Sequence, residues 1–276
     1  IQVEANLQFE RFRMPVIYTL KDVDNNADDE IEEILFDRER AEVTISSLTA
    51  ALQFDRRDSQ INPTTGRNTV FQVEYAFEAF GAEESFLKLF AQQTHYFNLG
   101  SAGIVGASLR LGGIESYRGD LIRPTPPIAG CGPDPIPDFG VALSERFFGG
   151  GRSTHRAYEL DTLGVLGETI FNNREETDGE CVDRGLFPTG GNGLGLLNLE
   201  YRYPVAPGFW ATAFYDIGNV WADWRDINWS EAKDGVGVGL GWDSPIGPLR
   251  LEVGWKLDRE ISEDPYQVFL SFGTAF

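Results

Sequence analysis

The sequence predicts an all-β protein, and specifically a transmembrane antiparallel β-barrel. Strand-length segments alternate apolar and polar side chains, no run is long enough for a membrane helix, and connections alternate between long and short. In the final segment, Tyr266, Val268, Leu270, Phe272, Thr274 and Phe276 oppose Gln267, Phe269, Ser271, Gly273 and Ala275. Successive side chains of a strand point to opposite faces, so this segment has one greasy face and one mostly small or polar face. Leu249, Leu251, Val253, Trp255 and Leu257 likewise oppose Arg250, Glu252, Gly254 and Lys256. Segments of about ten residues with this dyad mark a barrel with lipid outside and a polar lumen.

Ten strands are expected, over residues 1–14, 41–55, 68–80, 86–97, 104–113, 191–203, 209–219, 234–243, 247–257 and 266–276. The alternation slips near Glu10–Phe12, which suggests a bulge or a separate strand over 11–20. Val43 and Ile45 are out of phase with Leu48, Ala50, Leu52 and Phe54, which suggests another bulge or a frayed end near Ser46–Ser47. In 234–243 one face is entirely Gly235, Gly237, Gly239 and Gly241, which makes room in the lumen or permits curvature. The connections 15–40, 114–190, 220–233 and 258–265 are long on one side. On the other, Asn62-Pro63-Thr64-Thr65-Gly66, Pro204-Val205-Ala206-Pro207-Gly208 and Ser244-Pro245-Ile246-Gly247 carry turn chemistry. That asymmetry matches long extracellular loops and short periplasmic turns. An even strand count places both termini on the periplasmic side. Ile1 begins inside a strand-like pattern, so N-terminal periplasmic domains and the first strands of the barrel are expected to lie outside this chain.

Mean hydropathy is −0.25, as expected when only every second residue of a strand meets lipid. A soluble sandwich also alternates. Here, however, the face opposite the apolar one carries Glu200, Arg202, Asp216, Arg250, Glu252 and Lys256, too many charges for a dry core. The net charge of −20 argues against nucleic acid as a partner. Its acidic clusters, Asp22–Glu33 and Asp258–Asp264, read as solvated loops, with divalent-ion bridging to anionic glycolipid as the sharper alternative. Cys131 and Cys181 share the connection 114–190 and are candidates for a loop disulfide in an oxidising compartment. Two histidines and no clustered ligands give no metal site.

A connection as long as 114–190 needs a function. It contains Ser144-Glu145-Arg146-Phe147-Phe148-Gly149-Gly150-Gly151-Arg152-Ser153-Thr154-His155-Arg156-Ala157-Tyr158, ending on Leu163-Gly164. Further on come Gly190-Gly191-Asn192, Glu200-Tyr201-Arg202-Tyr203-Pro204, Phe214-Tyr215-Asp216-Ile217-Gly218-Asn219-Val220-Trp221 and Ser244-Pro245-Ile246-Gly247-Pro248-Leu249-Arg250. Upstream lies Asp55-Arg56-Arg57-Asp58 followed by Pro63-Thr64-Thr65-Gly66. Together, in this order and spacing over about 40–276, these resemble the signatures of the outer-membrane insertase and translocase superfamily, the bacterial surface-antigen barrels of the BamA and TamA kind. One departure stands out: Ala157 occupies the place of a family glycine. If that position needed positive φ, alanine would be strained there.

The resemblance implies a sixteen-stranded barrel of which this chain is the C-terminal part, with the long loop folded into the lumen. It implies a loop latch made by Arg156, Tyr158, Gly149 and Gly150, with Asp216 and Glu200 as partners on the lumen wall. Parity is compatible, since Asp216 shares its face with Thr212, Phe214 and Gly218. A guanidinium fork suits a carboxylate bidentately. It also implies a C-terminal sorting signal in Tyr266, Leu270, Phe272 and Phe276, and a weak seam beside the last strand, open to β-augmentation. The function implied is assembly, insertion or translocation of outer-membrane or secreted proteins, without catalysis or cofactor. Its partners would be outer-membrane lipids, nascent substrate proteins, and periplasmic or inner-membrane accessory proteins. The barrel anchor of a patatin-like lipase and a passive porin-like channel are the alternatives. No nucleophile elbow occurs in this chain, and a simple pore needs no loop latch.

Overall fold

The computed structural model describes residues 2–13, 18–21, 32–35, 42–117, 139–177, 180–244, 247–259 and 263–272, with side chains described from residue 44 onward except Phe80 and 172–186. In chain order the strands are β1 (Gln2–Arg13), β2 (Tyr18–Lys21), β3 (Glu32–Leu35), β4 (Glu42–Asp55), β5 (Gly66–Ala76), β6 (Phe86–Asn98), β7 (Ile104–Ser116), β8 (Ile170–Thr177), β9 (Glu180–Pro188), β10 (Gly193–Ala206), β11 (Phe209–Trp221), β12 (Lys233–Ser244), β13 (Gly247–Lys256) and β14 (Tyr266–Phe272). Ten of them form one antiparallel sheet in the order β1-β4-β5-β6-β7-β10-β11-β12-β13-β14. These ten correspond to the ten expected segments. The long connections contribute two hairpins of their own, β2–β3 and β8–β9.

Neither expected bulge is present, although the β4–β5 pairing stops at Ser47, where a frayed end is the alternative. The β1–β4 register runs unbroken from Gln2↔Gln53 to Arg13↔Glu42, and β4–β5 is unbroken from Ser47↔Ala76 to Asp55↔Asn68. Ile45 is out of phase for a different reason. It is buried on the other face of β4 and joins a core cluster with Ala76, Phe86, Ile114, Val141 and Ala142. An apolar residue at an inward position is thus satisfied by the folded-in loop, and the pairing does not slip.

The faces of the sheet differ as the alternation requires. On one, Leu52, Phe71, Leu89, Leu111, Leu199, Tyr203, Val238, Leu240, Leu251 and Leu270 are exposed. An apolar surface this continuous marks contact with something other than water. The other face is covered by residues 139–169. Their Val141, Ala142, Phe147, Ala157, Tyr158 and Leu163 pack against Leu194, Leu196 and Val220 of the sheet. In a flat sheet β10 and β13 would lie ~14 Å apart. Instead Arg250 of β13 donates from one nitrogen to both Glu200 of β10 and Glu252 of β13, each at 2.7 Å. The sheet therefore curls around the loop.

Strand direction defines two edges. Turn 56–65 and the connections 99–103 and 207–208 lie on the lower edge, together with the start of β1, the end of β12, the start of β13 and the end of β14. β7 ends and β10 begins on the upper edge.

Candidate functional site: the loop tip against the sheet

The folded-in loop is pinned first at its shoulders. Phe147 and Gly191 exchange backbone hydrogen bonds of 2.9 and 3.0 Å. The Phe147 ring lies where a Cβ on Gly112 would stand, 2.5 Å from that position. Lys88 of β6 donates to the Glu145 carbonyl at 2.6 Å. Arg146 reaches the carbonyls of Val141 and Thr189 and stacks on Phe139, 4.2 Å from the ring centroid. Between these shoulders the chain makes a tight reversal: Gly151 donates to Tyr158, and Leu163 donates to Gly149. Gly150 is indispensable to it. Its φ is 106°, and a Cβ there would lie 2.1 Å from the Glu159 carbonyl oxygen.

The reversal carries His155-Arg156-Ala157-Tyr158 onto the inner wall, all four buried. Arg156 is 1% exposed and Asp216 of β11 is 0% exposed. The guanidinium grips Asp216 with two parallel bonds, Nε to Oδ2 at 2.9 Å and Nη2 to Oδ1 at 2.8 Å. The backbone N–H of Arg156 adds a third bond to Oδ2 at 2.9 Å. Nη1 donates to Glu200 at 2.5 Å and to Glu252 at 3.1 Å. The guanidinium also lies over the Phe214 ring, 3.7 Å from its centroid. Three arginines, Arg156, Arg202 and Arg250, thus meet three carboxylates, Asp216, Glu200 and Glu252. A buried ionic cluster is tolerated when its charges are paired and hydrogen-bonded, and removing one member leaves the rest uncompensated.

Neighbouring strands fix the rest of the tip. Asn198 of β10 donates to the Thr154 carbonyl at 2.6 Å and to Asp216 at 2.9 Å. Arg110 of β7 donates to the Ser153 carbonyl at 2.7 Å. His155 Nε2 donates to the Lys233 carbonyl of β12 at 3.0 Å, and the His155 ring meets Tyr158 edge-on with centroids 4.8 Å apart. Lys256 of β13 sits over the Tyr158 ring at 4.4 Å. One short reversal is therefore held by β7, β10, β11, β12 and β13.

The glycine column of β12 divides into two uses. A Cβ on Gly235 would stand 2.6 Å from both the Ala157 methyl and the His155 ring, so this glycine makes room for the loop. Cβ atoms on Gly237 and Gly241 would collide with the rings of Phe214 and Trp210 on β11, so those glycines make room within the sheet. Gly254 of β13 admits the Arg156 carbonyl, which would lie 2.1 Å from a Cβ. Ala157 is not strained: among the described residues Asp161 is the only non-glycine with positive φ. Its methyl occupies the space that Gly235 leaves.

The structure thus brings together Arg156, Tyr158, Gly149, Gly150, Asp216 and Glu200. Sequence reasoning did not assign Glu252 and Arg250 to the cluster, although both share the inward parity. Tyr266, Leu270 and Phe272 are exposed on the apolar face of β14. Phe276 and Cys131 lie outside the described residues, as does the side chain of Cys181. Among the described residues no group of three or more His, Cys, Asp or Glu could hold a metal ion.

The Omp85 superfamily domain model matches residues 3–276. The chain belongs to the Omp85 superfamily. It is 29% identical over 249 residues to the outer membrane protein assembly factor BamA of Nitratidesulfovibrio vulgaris, covering 87% of this chain and 26% of that protein. It is 24% identical over 242 residues to the BamA of Neisseria meningitidis serogroup B, covering 80% of this chain and 28% of that protein. The chain therefore spans about a quarter of the length of these relatives. Among solved structures, the crystal structure of BamA from Haemophilus ducreyi lacking POTRA domains 1–3 superposes with a TM-score of 0.60 at 15% identity, over 90% of this chain and 44% of that one. That likeness is one of fold.

Proposed function

We propose that this chain is the barrel portion of an outer-membrane protein assembly factor, and that its folded-in loop latches the lumen. The observation that carries the reading is Arg156, fully buried and bound to Asp216, Glu200 and Glu252 from three different strands. A passive pore would have no use for a loop tied down in its own lumen, and no paired nucleophile and base in the site points to catalysis. The exposed apolar face would meet outer-membrane lipid. The lower edge, with both ends of the ten-stranded sheet, would face the periplasm, where further domains and accessory proteins would join. Strands β1 and β14 are the two ends of the sheet order. An unpaired strand edge can template an incoming strand of a nascent barrel, and the apolar row Tyr266, Val268, Leu270 and Phe272 gives that edge a lipid-compatible face.

The test replaces the chromosomal gene by one encoding Arg156→Gln and follows folding of an abundant porin of the same membrane by its heat-modifiable gel mobility. The expected result is accumulation of unfolded porin while the variant itself reaches the membrane. Normal porin assembly with the variant would refute the latch.

A further inference from the structure

The lower edge carries a second inward-reaching segment, built from the turn 56–65 between β4 and β5. It joins β4 to β5, yet two of its polar partners, on β10 and β12, lie far across the barrel. Arg202 of β10 donates to the Asn62 side chain at 2.8 Å and to the Pro63 carbonyl at 2.6 Å. Asn62 in turn donates to Asp243, at the lower end of β12, at 3.1 Å. Asn98, at the lower end of β6, donates to Thr64 at 3.3 Å. Five strand spacings, ~24 Å in a flat sheet, separate β5 from β12, so the turn crosses the curled mouth. Pro63 is buried.

The turn is also rigid in itself. Asp58 accepts from the Thr64 N–H at 2.9 Å, the Thr64 hydroxyl at 2.6 Å and the Thr65 N–H at 3.1 Å. Slight burial opposes ionisation of Asp58, but these hydrogen bonds outweigh it and bring its pKa down to about 2. Arg56 and Arg67 close its neck with a backbone bond of 2.8 Å. Gly66 is required there, because a Cβ would lie 2.2 Å from the Arg56 carbonyl oxygen.

We propose that residues 56–65 form a strap that closes the lower mouth of the barrel, and that Arg202 is the residue that holds it there. Arg202 sits on the inner wall one inward position below Glu200, with its Nε 3.4 Å from that carboxylate. It therefore ties the strap to the same acidic residue that receives Arg156. The lumen is stoppered from above by the loop and from below by the strap; Arg156 of the loop and Arg202 of the wall, which holds the strap, both reach Glu200. The strap can open while the loop stays seated, since Arg156 keeps Asp216, Glu252 and Glu200. Passage from the lower side is then controlled at Arg202, separately from the loop. This rests on the barrel reading above but not on what the barrel assembles.

The test uses the full-length protein in detergent micelles, with Cys131 and Cys181 replaced by serine and Thr212→Cys introduced. Thr212 is buried on the inner wall, directly paired with Arg202. Its modification by an anionic thiol reagent reports opening of the mouth. Asn62→Ala removes one contact to Arg202 and the contact to Asp243 while leaving the Arg202–Glu200 pair in place, and Arg202→Gln removes both strap bonds. Slow modification is expected in the parent, rising about tenfold in Asn62→Ala, a shift of ~1.4 kcal/mol in the opening equilibrium. Arg202→Gln should rise at least as much. Should Arg202→Gln fail to fold, as judged by heat-modifiable mobility, Asn62→Ala alone decides. Fast modification in the parent, or equally slow modification in a folded Asn62→Ala variant, would overturn the strap. A defect in porin assembly plays no part in this readout, so failure of the latch and failure of the strap are distinguishable.

Discussion

The two faces of β10 to β13 are built from the same strands and obey opposite rules. On the outer face, Tyr201, Ala213, Val238 and Val253 form one cross-strand row and Tyr203, Ala211, Leu240 and Leu251 the next. Most of these side chains remain exposed, Leu240 at 65%, and of the eight only Tyr201 has a hydrogen-bond partner, the Ala102 carbonyl at the strand's lower end. On the inner face, the row Glu200, Phe214, Gly237 and Gly254 is fitted residue by residue. Glu200 binds Arg156, Phe214 lies beneath it, Gly237 admits the Phe214 ring and Gly254 admits the Arg156 carbonyl. The outer face needs only a class of side chain, because its surroundings are non-directional. The inner face needs particular residues, because hydrogen bonds and van der Waals limits are directional.

That contrast can be broken in several places. The largest effect is expected from Arg156→Gln, which leaves Asp216, Glu200 and Glu252 with one guanidinium fewer. By the precedent of broken buried pairs it costs ~3–5 kcal/mol, read as a lowered urea midpoint and protease cleavage within 150–160. Leu240→Arg follows: a cation on the outer face near mid-strand is expected to cost ~2–4 kcal/mol when the protein is folded into bilayers, whereas Leu240→Ile should change stability by less than ~0.5 kcal/mol. If Leu240→Arg were as harmless as Leu240→Ile, the outer face would not be meeting lipid. Next comes Gly235→Ala, whose methyl meets Ala157 and His155 at 2.6 Å. Overpacking of this kind costs ~1–3 kcal/mol, and Ala157→Gly in the same chain should restore part of the loss. Absence of any rescue would show that the two positions do not share one space.

The smallest effect concerns pH. The folded pKa of Asp58, about 2, lies below its ordinary value of 3.8. Its contribution to the strap is therefore complete above the ordinary value and is lost as pH falls through about 2. An NMR titration of the Asp58 carboxyl should show a midpoint near the lower value in the parent. In Asn62→Ala, which loosens the strap but leaves Thr64 and Thr65 in place, the midpoint should move only slightly upward.

The ten strands were legible because lipid on one side and a packed loop on the other impose a period of two on every segment. Parity alone put Asp216 and Glu200 on the inner wall. It failed at Ile45, where an inward apolar residue looks like a slip of register unless the folded-in loop that covers it is known. The β8–β9 hairpin was also missed, although Asp178-Gly179 between its strands is a turn dipeptide. The acidic and arginine residues around it obscured the alternation. Glu252 and Arg250 had the right parity, but their joint contact with Glu200 depends on sheet curvature, which no local pattern encodes. The strap was read as an ordinary turn, since contacts between Asn62 and Asp243 span 181 positions. The fit of Ala157 against Gly235 was invisible for the same reason.

The most direct test of the account is cysteine-pair crosslinking in native outer membranes, using R156C with D216C in a chain lacking Cys131 and Cys181. R156C with I217C serves as the control, because Ile217 points to the opposite face of β11. The backbone N–H of residue 156 lies 2.9 Å from the Asp216 carboxylate. Efficient bonding of the 156–216 pair, and none of the 156–217 pair, is the predicted result. If 156–216 fails to bond while each cysteine reacts freely with a small thiol reagent, the loop tip is not on the inner wall in the membrane, and the latch is wrong.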